Sequence, residues 1–128
     1  MSTEIIQYFL KLRNTLKVYH WLTLSYPRHK ASDALIAEID TLSDKFVEVY
    51  IGRYGRDVQR SSKASSKNMS IPLPFLKEDE VEDYLIEARD WLTQKLPNML
   101  KKNDTELFNI RDELISSINQ SLYLFKLS

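Results

Sequence analysis

The chain has 128 residues, of which 43% are hydrophobic and 28% are charged, as in a globular domain with a buried core and unlike a disordered segment. Its 18 basic and 18 acidic side chains give a formal net charge of zero, which argues against a general attraction to nucleic acid. Cysteine is absent, so disulfides, thiolate zinc sites and cysteine nucleophiles are excluded.

Apolar residues at three- and four-residue steps predict two helices in the first half of the chain. The first covers about residues 3–24. The second covers about residues 27–54, because Pro27 suits a first helical turn and Gly52 and Gly55 mark an end. The predicted buried stripes are Ile5, Phe9, Leu12, Leu16 and Tyr19 in the first helix, and Leu35, Ile39, Leu42, Phe46 and Val49 in the second.

A long serine-rich connection, residues 55–76, separates these helices from two more, predicted over about 77–101 and 104–127. Pro97 is expected to end or kink the third helix. Asn103 or Asp104 is expected to cap the fourth helix, and Asn103 and Glu106 stand at the spacing of a capping box. One long crossover between helices 2 and 3 is the ferritin-like version of a four-helix antiparallel bundle. The sequence therefore predicts an all-α fold with a single domain over residues 1–128.

One sector of the second helix combines polar and β-branched residues when the helix is drawn at about 100° per residue. A surface that faces only water would not carry three β-branched side chains, so we expect this sector to be covered. Covered carboxylates are paired, hydrogen-bonded or bound to metal. The polar members of the sector are His29, Asp33, Asp40, Asp44 and Glu48, and the apolar members are Ile36, Val47 and Ile51.

His20 on the first helix is expected to face inward or towards a partner, and both histidines of the chain lie beside the short turn between the first two helices. Two imidazoles with three carboxylates form a nitrogen and oxygen ligand set suited to Fe(II), and also to Zn or Mn. The ordinary alternatives are a solvated acidic helix face and histidines that are hydrogen-bonded within the core.

Three segments resemble the ferroxidase signature of Dps-type mini-ferritins, in which a His-Trp pair precedes H-x3-D and D-x3-E on the second helix. They are His20-Trp21, His29 to Asp33, and Asp44 to Glu48. The sequence is also similar to compact, uncharacterised ferritin-like proteins of large DNA viruses. The resemblance implies an iron-binding protein and candidate ferroxidase that stores iron (Fe2+/Fe3+).

The same resemblance implies a site shared between two subunits, and therefore a homodimer or higher homo-oligomer through the second helix. No catalytic residue beyond the metal ligands is implied, and Trp21 and Asp40 would lie near the site. The implied ligands are His20, His29 and Asp33 from one chain and Asp44 and Glu48 from its neighbour.

The stretch 53–67 carries five basic residues against one acid. One interpretation is contact with phosphate or an acidic partner, and the other is a solvated loop. The basic residues are not interleaved with aromatic residues in the way that would suggest stacking on a single strand, which argues against nucleic acid. The basic residues are Arg53, Arg56, Arg60, Lys63 and Lys67.

A second functional hypothesis is a non-catalytic helical bundle that serves as a structural or adaptor subunit of a larger assembly, such as a virion capsid. No apolar run approaches the roughly 18 residues of a membrane span, and the N-terminus lacks a signal-peptide pattern. These features predict no membrane association and an intracellular protein, or a virion protein if the chain is viral.

Overall fold

The computed structural model describes residues 2–56 and 69–128, and the regular structure of these ranges is helical. The helices are α1 (Ser2–Leu22), α2 (Tyr26–Tyr54), α3 (Val81–Asp90) and α4 (Thr105–Phe125). No strand occurs within the described ranges, so the predicted all-α class is confirmed. None of the helices described combines the length and the apolar character needed to cross a membrane.

Local chemistry sets both ends of α2. At the start, the Ser25 hydroxyl accepts a 3.3 Å hydrogen bond from the backbone N–H of Arg28. Pro27 lies in the first turn, where its missing N–H leaves no helical bond unmade. At the end, Gly55 has a φ of 87° and donates its N–H to the carbonyl of Ile51. Glycine reaches this backbone conformation without a steric penalty, so the helix stops here.

The third helix starts later than predicted. Glu78, Asp79 and Glu80 precede it, and the Glu80 carboxylate accepts a 2.8 Å hydrogen bond from the backbone N–H of Lys77. This bond closes a separate turn ahead of the helix, and α3 begins at Val81 rather than at residue 77.

The third helix also loses its regular form well before residue 101. After Asp90 the backbone widens into a π-helical turn (Trp91–Lys95) and then tightens into a 3-10 turn (Leu96–Met99). Pro97 has no N–H to donate, and in an α-helix its ring would clash with the carbonyl four residues earlier. The predicted range 77–101 was therefore wrong at both ends.

The capping box predicted before α4 does not form. Asp104 occupies the N-cap position and makes no side-chain cap bond. Glu106, the other half of the expected reciprocal pair with Asn103, instead accepts a 3.0 Å hydrogen bond from Arg53 at the end of α2. Its carboxylate thus joins two helices and does not cap one.

Contacts at the two ends of α2 show that it runs antiparallel to α4. Near its start, Arg28 donates to the backbone carbonyl of Phe125, 3.4 Å away, and near its end Arg53 contacts Glu106. Arg28 also donates to the carbonyl of Glu78 at 2.8 Å, just ahead of α3. The chain therefore leaves α2 at one end of the bundle and enters α3 at the other.

Each helix contributes an apolar stripe to one core. The predicted stripe of α1 is entirely buried, and that of α2 is buried except for Val49, which is half-buried. Ile36, which belongs to the sector expected to be covered, is 3% exposed and packs in the core of its own chain. Val47 packs partly against the same core. This member of the sector is therefore covered as expected, and its own chain provides the cover.

Candidate functional site

His20 and His29 form a reciprocal clasp across the corner between α1 and α2. The Nδ1 of His29 donates to the backbone carbonyl of His20 at 2.9 Å, and the Nδ1 of His20 donates to the carbonyl of His29 at 2.9 Å. The rings are stacked, with centroids 4.0 Å apart and planes within 16°. Because carbonyl oxygens only accept, each neutral ring carries its proton on Nδ1 and keeps a lone pair on Nε2.

Ser32 and Asp33 complete the surroundings of the clasp. The buried Ser32 hydroxyl donates to the carbonyl of His29 at 3.0 Å and lies 3.1 Å from the Nδ1 of His20. The Asp33 carboxylate lies 4.0 Å from the Nε2 of His20, which is the ring nitrogen that the clasp leaves open. Three of the five predicted ligands, His20, His29 and Asp33, are therefore neighbours in one chain.

The other two predicted ligands, Asp44 and Glu48, are exposed and far from the clasp. Asp44 lies fifteen residues beyond His29, and Glu48 lies fifteen residues beyond Asp33. On one helix this is a distance of about 22 Å, at a rise of about 1.5 Å per residue. Within residues 2–56 and 69–128, no group of three or more histidine or acidic residues is arranged to hold a metal ion. The five-residue site therefore requires a second chain, and it stays a prediction.

The two residues predicted near the site have partners of their own. Trp21 is 66% exposed, with the Lys17 ammonium 5.4 Å from its ring centroid. Asp40 receives two hydrogen bonds from the Arg13 guanidinium, at 3.0 Å and 3.4 Å. The Asp40 pair joins α1 to α2 near their middles and lies away from the clasp.

The basic stretch divides between helix and connection. The sequence grouped Arg53 with the basic residues of the crossover. Arg53 instead belongs to α2, and its guanidinium pairs with Asp104 and Glu106. Arg56 is exposed just after the helix end. Arg60, Lys63 and Lys67 lie outside the described residues, and their predicted phosphate contact stays a prediction.

Asp104 is a buried carboxylate that the sequence marked only as a candidate helix cap. Its side chain is fully buried and accepts hydrogen bonds from the Tyr54 hydroxyl and from the backbone N–H of Lys101, the latter at 2.8 Å. Burial alone would raise its pKa, but these hydrogen bonds and the Arg53 charge outweigh burial and hold the pKa of Asp104 below its usual value. The available signal was an aspartate at a helix start, which is normally read as a cap.

A groove of about 690 Å³ runs along the surface between α1 and α2. Ile6, Phe9, Leu10 and Val47 form its apolar part, and Leu10 is 43% exposed. We call the surface around this groove the α1–α2 face. It comprises Ile6, Leu10, Arg13, Lys17 and Trp21 of α1, and Asp33, Asp40, Asp44, Val47 and Glu48 of α2.

The chain belongs to a family of unknown function, DUF5856, whose family model matches residues 20–125. A relative in Enterobacteria phage T4, described as an uncharacterized 14.6 kDa protein in the mobD-ri intergenic region, is 30% identical over 108 residues. The alignment covers 84% of this chain and 74% of the relative. No solved structure matches the chain.

These relationships overturn the assignment to Dps-type mini-ferritins and to ferritin-like viral proteins. The family that matches is DUF5856, and the phage relative carries no ferritin description. The error has a physical origin: H-x3-D and D-x3-E are spacings of four residues, which place two polar side chains on one face of any α-helix. The pattern therefore reports helical periodicity and is not specific to one family.

Proposed function

We propose that this protein is a structural helical-bundle subunit that assembles with a second copy of itself through the α1–α2 face. The observation that supports this best is the groove of about 690 Å³, whose apolar floor lies between two helix flanks of opposite charge. This is the structural-subunit hypothesis that the sequence left open, now assigned to a particular surface.

The apolar part of the face supports association. Leu10 is 43% exposed in the middle of α1, between the half-buried Ile6 and Val47 on the groove. Burial of apolar surface stabilises a complex by about 25 cal/mol per Å² removed from water. A contiguous apolar patch with a polar rim is typical of protein interfaces.

The charged part of the face supports a second copy as the occupant. The α1 flank carries Arg13 and Lys17, whereas the α2 flank carries only acids near the groove. Among the described residues of a single chain, Arg13 pairs with Asp40 and the Lys17 ammonium lies over the Trp21 ring. Two copies that place the basic flank of one over the acidic flank of the other would match charges twice, as an isologous contact does. The acids of the flank are Asp33, Asp40, Asp44 and Glu48.

A two-fold axis parallel to the helices gives this arrangement. Such an axis sets α1 of one copy over α2 of the other and keeps each residue at its own height along the bundle. The Arg13–Asp40 and His20–Asp33 contacts show which residues of α1 and α2 lie at the same height along the bundle. By this register, Leu10 of one copy meets the region around Ser43 of the other.

Sedimentation velocity over a concentration series tests the proposal. The wild-type chain of 15.1 kDa is expected to approach a dimer mass of about 30 kDa as its concentration rises. Leu10→Asp should remain monomeric, because it places a charge on the apolar floor. Ile86→Asp is the matched control, since Ile86 is 37% exposed on α3 and away from the face. A wild-type chain that stays monomeric throughout would contradict the proposal.

A second candidate function is binding of a transition metal by His20, His29 and Asp33 together with Asp44 and Glu48 of a neighbour. The clasp favours it, because both Nδ1 atoms donate and each neutral ring keeps an Nε2 lone pair, one of them 4.0 Å from the Asp33 carboxylate. Such donors suit Fe(II), Zn(II) and Mn(II). This candidate needs the two α2 helices to run antiparallel across a two-fold axis perpendicular to them.

Anaerobic calorimetric titration with Fe(II), Zn(II) and Mn(II) tests the metal candidate. Asp33→Asn is expected to weaken binding by about tenfold or more, because it removes a ligand charge without disturbing the clasp. Asp112→Asn is the control, since Asp112 is 62% exposed on α4 and comparable to Asp33 at 63%. Equal binding by wild type and Asp33→Asn would rule this candidate out.

The phage relative points to a viral origin for this chain, so the proposed assembly would form in an infected bacterial cell or in the virion. It is 30% identical to this chain over 108 residues and is encoded by phage T4. Mass spectrometry of purified virions and of infected-cell lysate distinguishes the two locations. Detection at a fixed copy number in washed virions is expected for a virion subunit, and recovery from the lysate alone would exclude that location.

A further inference from the structure

Tyr8 and Trp91 form a stacked aromatic pair between α1 and the end of α3, on the flank of α1 away from the α1–α2 face. Their ring centroids are 3.8 Å apart and the planes agree within 4°. The buried Phe9 packs edge-on against Trp91 at 6.1 Å and fixes the pair from the core. Two surface grooves, of about 290 and about 230 Å³, share this pair in their linings.

The larger of these two grooves owes its position to the π-helical turn. Trp91 begins that turn, and its carbonyl accepts from the N–H of Leu96 across the widened ring. The next residue, Leu92, is fully buried and anchors the turn in the core. Trp91 is therefore held half-buried at the surface beside Tyr8, and single π-helical turns of this kind are often found at functional sites.

The groove on the α3 side is negative at one end and positive at the other. Glu87 and Asp90 lie one helical turn apart, and neither forms an ion pair with any residue in the described ranges. Burial, Tyr84 and the Glu87 charge together raise the pKa of the Tyr8 hydroxyl above its usual value. Lys95 lines the opposite end, beyond Trp91.

We propose that this groove binds the guanidinium group of an arginine side chain presented by a partner peptide. The Tyr8–Trp91 pair offers aromatic surface for a planar cation, and Glu87 and Asp90 offer carboxylate oxygens that a guanidinium can bond in pairs. Lysine fits less well, because its ammonium is a strongly hydrated point charge that neither stacks nor bonds in a planar fork. The site lies on a different flank of α1 from the assembly surface and does not depend on it.

NMR titration of the Trp91 indole resonance with the peptide acetyl-Gly-Arg-Gly-amide tests the proposal. The arginine peptide is expected to shift that resonance saturably. Peptides with citrulline or lysine in place of arginine should bind at least about tenfold more weakly, since citrulline lacks the charge and lysine lacks the planar fork. The proposal would be overturned if the arginine peptide caused no saturable shift, or if the citrulline or lysine peptide bound as tightly as the arginine peptide.

Three exposed charge variants separate recognition from folding. Glu87→Gln combined with Asp90→Asn is expected to weaken arginine binding about fivefold or more, because it removes the charge-assisted bonds. Lys95→Gln should strengthen it, because a repelling cation is removed. Glu113→Gln, exposed on α4, should leave it unchanged. The proposal requires that the double acid variant weakens binding of the arginine peptide and that Lys95→Gln strengthens it. A loss of affinity in both variants would count against the site.

Discussion

At the scale of single residues, a charged carboxylate with no exposed surface joins α2 to the turn before α4. Asp104 is held there by the Tyr54 hydroxyl, the Arg53 guanidinium and the backbone N–H of Lys101. A buried charge of this kind persists only when it is paired and hydrogen-bonded. The network replaces the ordinary helix cap that the sequence predicts for an aspartate at this position.

Asp104→Asn is expected to lower the stability of the bundle at neutral pH and to flatten its loss in acid. The pKa of Asp104 is lower in the folded chain than its ordinary value, so the folded state binds fewer protons than the unfolded state. Stability from this group is therefore present above the unfolded pKa of about 3.9 and is lost as pH falls through the lower folded pKa.

Urea midpoints measured from pH 7 down to pH 3 check this prediction. The difference between wild type and Asp104→Asn should be largest at pH 7 and shrink towards pH 3. Asp112→Asn is the control, because Asp112 is an exposed aspartate on α4, the helix that Asp104 precedes. A difference that is constant with pH would show that Asp104 does not carry the titration.

The same scale explains why parts of the candidate site could not be predicted. The sequence identifies His20, His29 and Asp33 as neighbours, because the turn between their helices is short. It cannot show that both imidazoles use Nδ1 to hold the opposite backbone carbonyl, since that depends on the angle between the helices. The Arg53–Asp104 pair joins residues remote in sequence, and no local pattern marks it.

At the scale of elements, the ends of α2 follow from local chemistry and those of α3 do not. The Ser25 cap, Pro27 and Gly55 act on adjacent residues, so the sequence predicts where α2 begins and ends. The start of α3 depends on a hydrogen bond that the Glu80 side chain accepts from Lys77. Pro97 is expected to end or kink the helix, but the regular α-helix already ends at Asp90, seven residues earlier. Such effects act at a distance that periodicity does not capture.

Two glycines at the end of α2 are expected to respond to alanine in opposite directions. Gly52 lies within the helix with open space around its Cα, so Gly52→Ala should stabilise the chain by about 0.5–1 kcal/mol. Gly55 has a φ of 87°, so Gly55→Ala should destabilise it by about 1–3 kcal/mol despite equally open space.

Chemical denaturation of both glycine variants under one condition provides the measurement. Neither position has a heavy atom within 4 Å of an added Cβ, so the two changes differ only in backbone conformation. Stabilisation by Gly55→Ala would mean that α2 does not end in the positive-φ conformation.

At the scale of the whole molecule, helical periodicity determined the fold class and left the function open. Apolar stripes predict four packed helices, and the structure confirms an all-α chain in the described ranges. The polar residues on those helices suggested a family that the comparisons contradict, because spacings of four residues recur on any helix. Assembly depends on how two surfaces match, which requires the arrangement of α1 beside α2.

Single-cysteine cross-linking tests the proposed assembly most directly, because the chain contains no cysteine of its own. Leu10→Cys chains mixed with Ser43→Cys chains should form a mixed disulfide between copies more readily than either variant does alone. The result that would contradict this account is no mixed disulfide, or preferential joining of Asp33→Cys to Asp44→Cys chains, which requires antiparallel α2 helices.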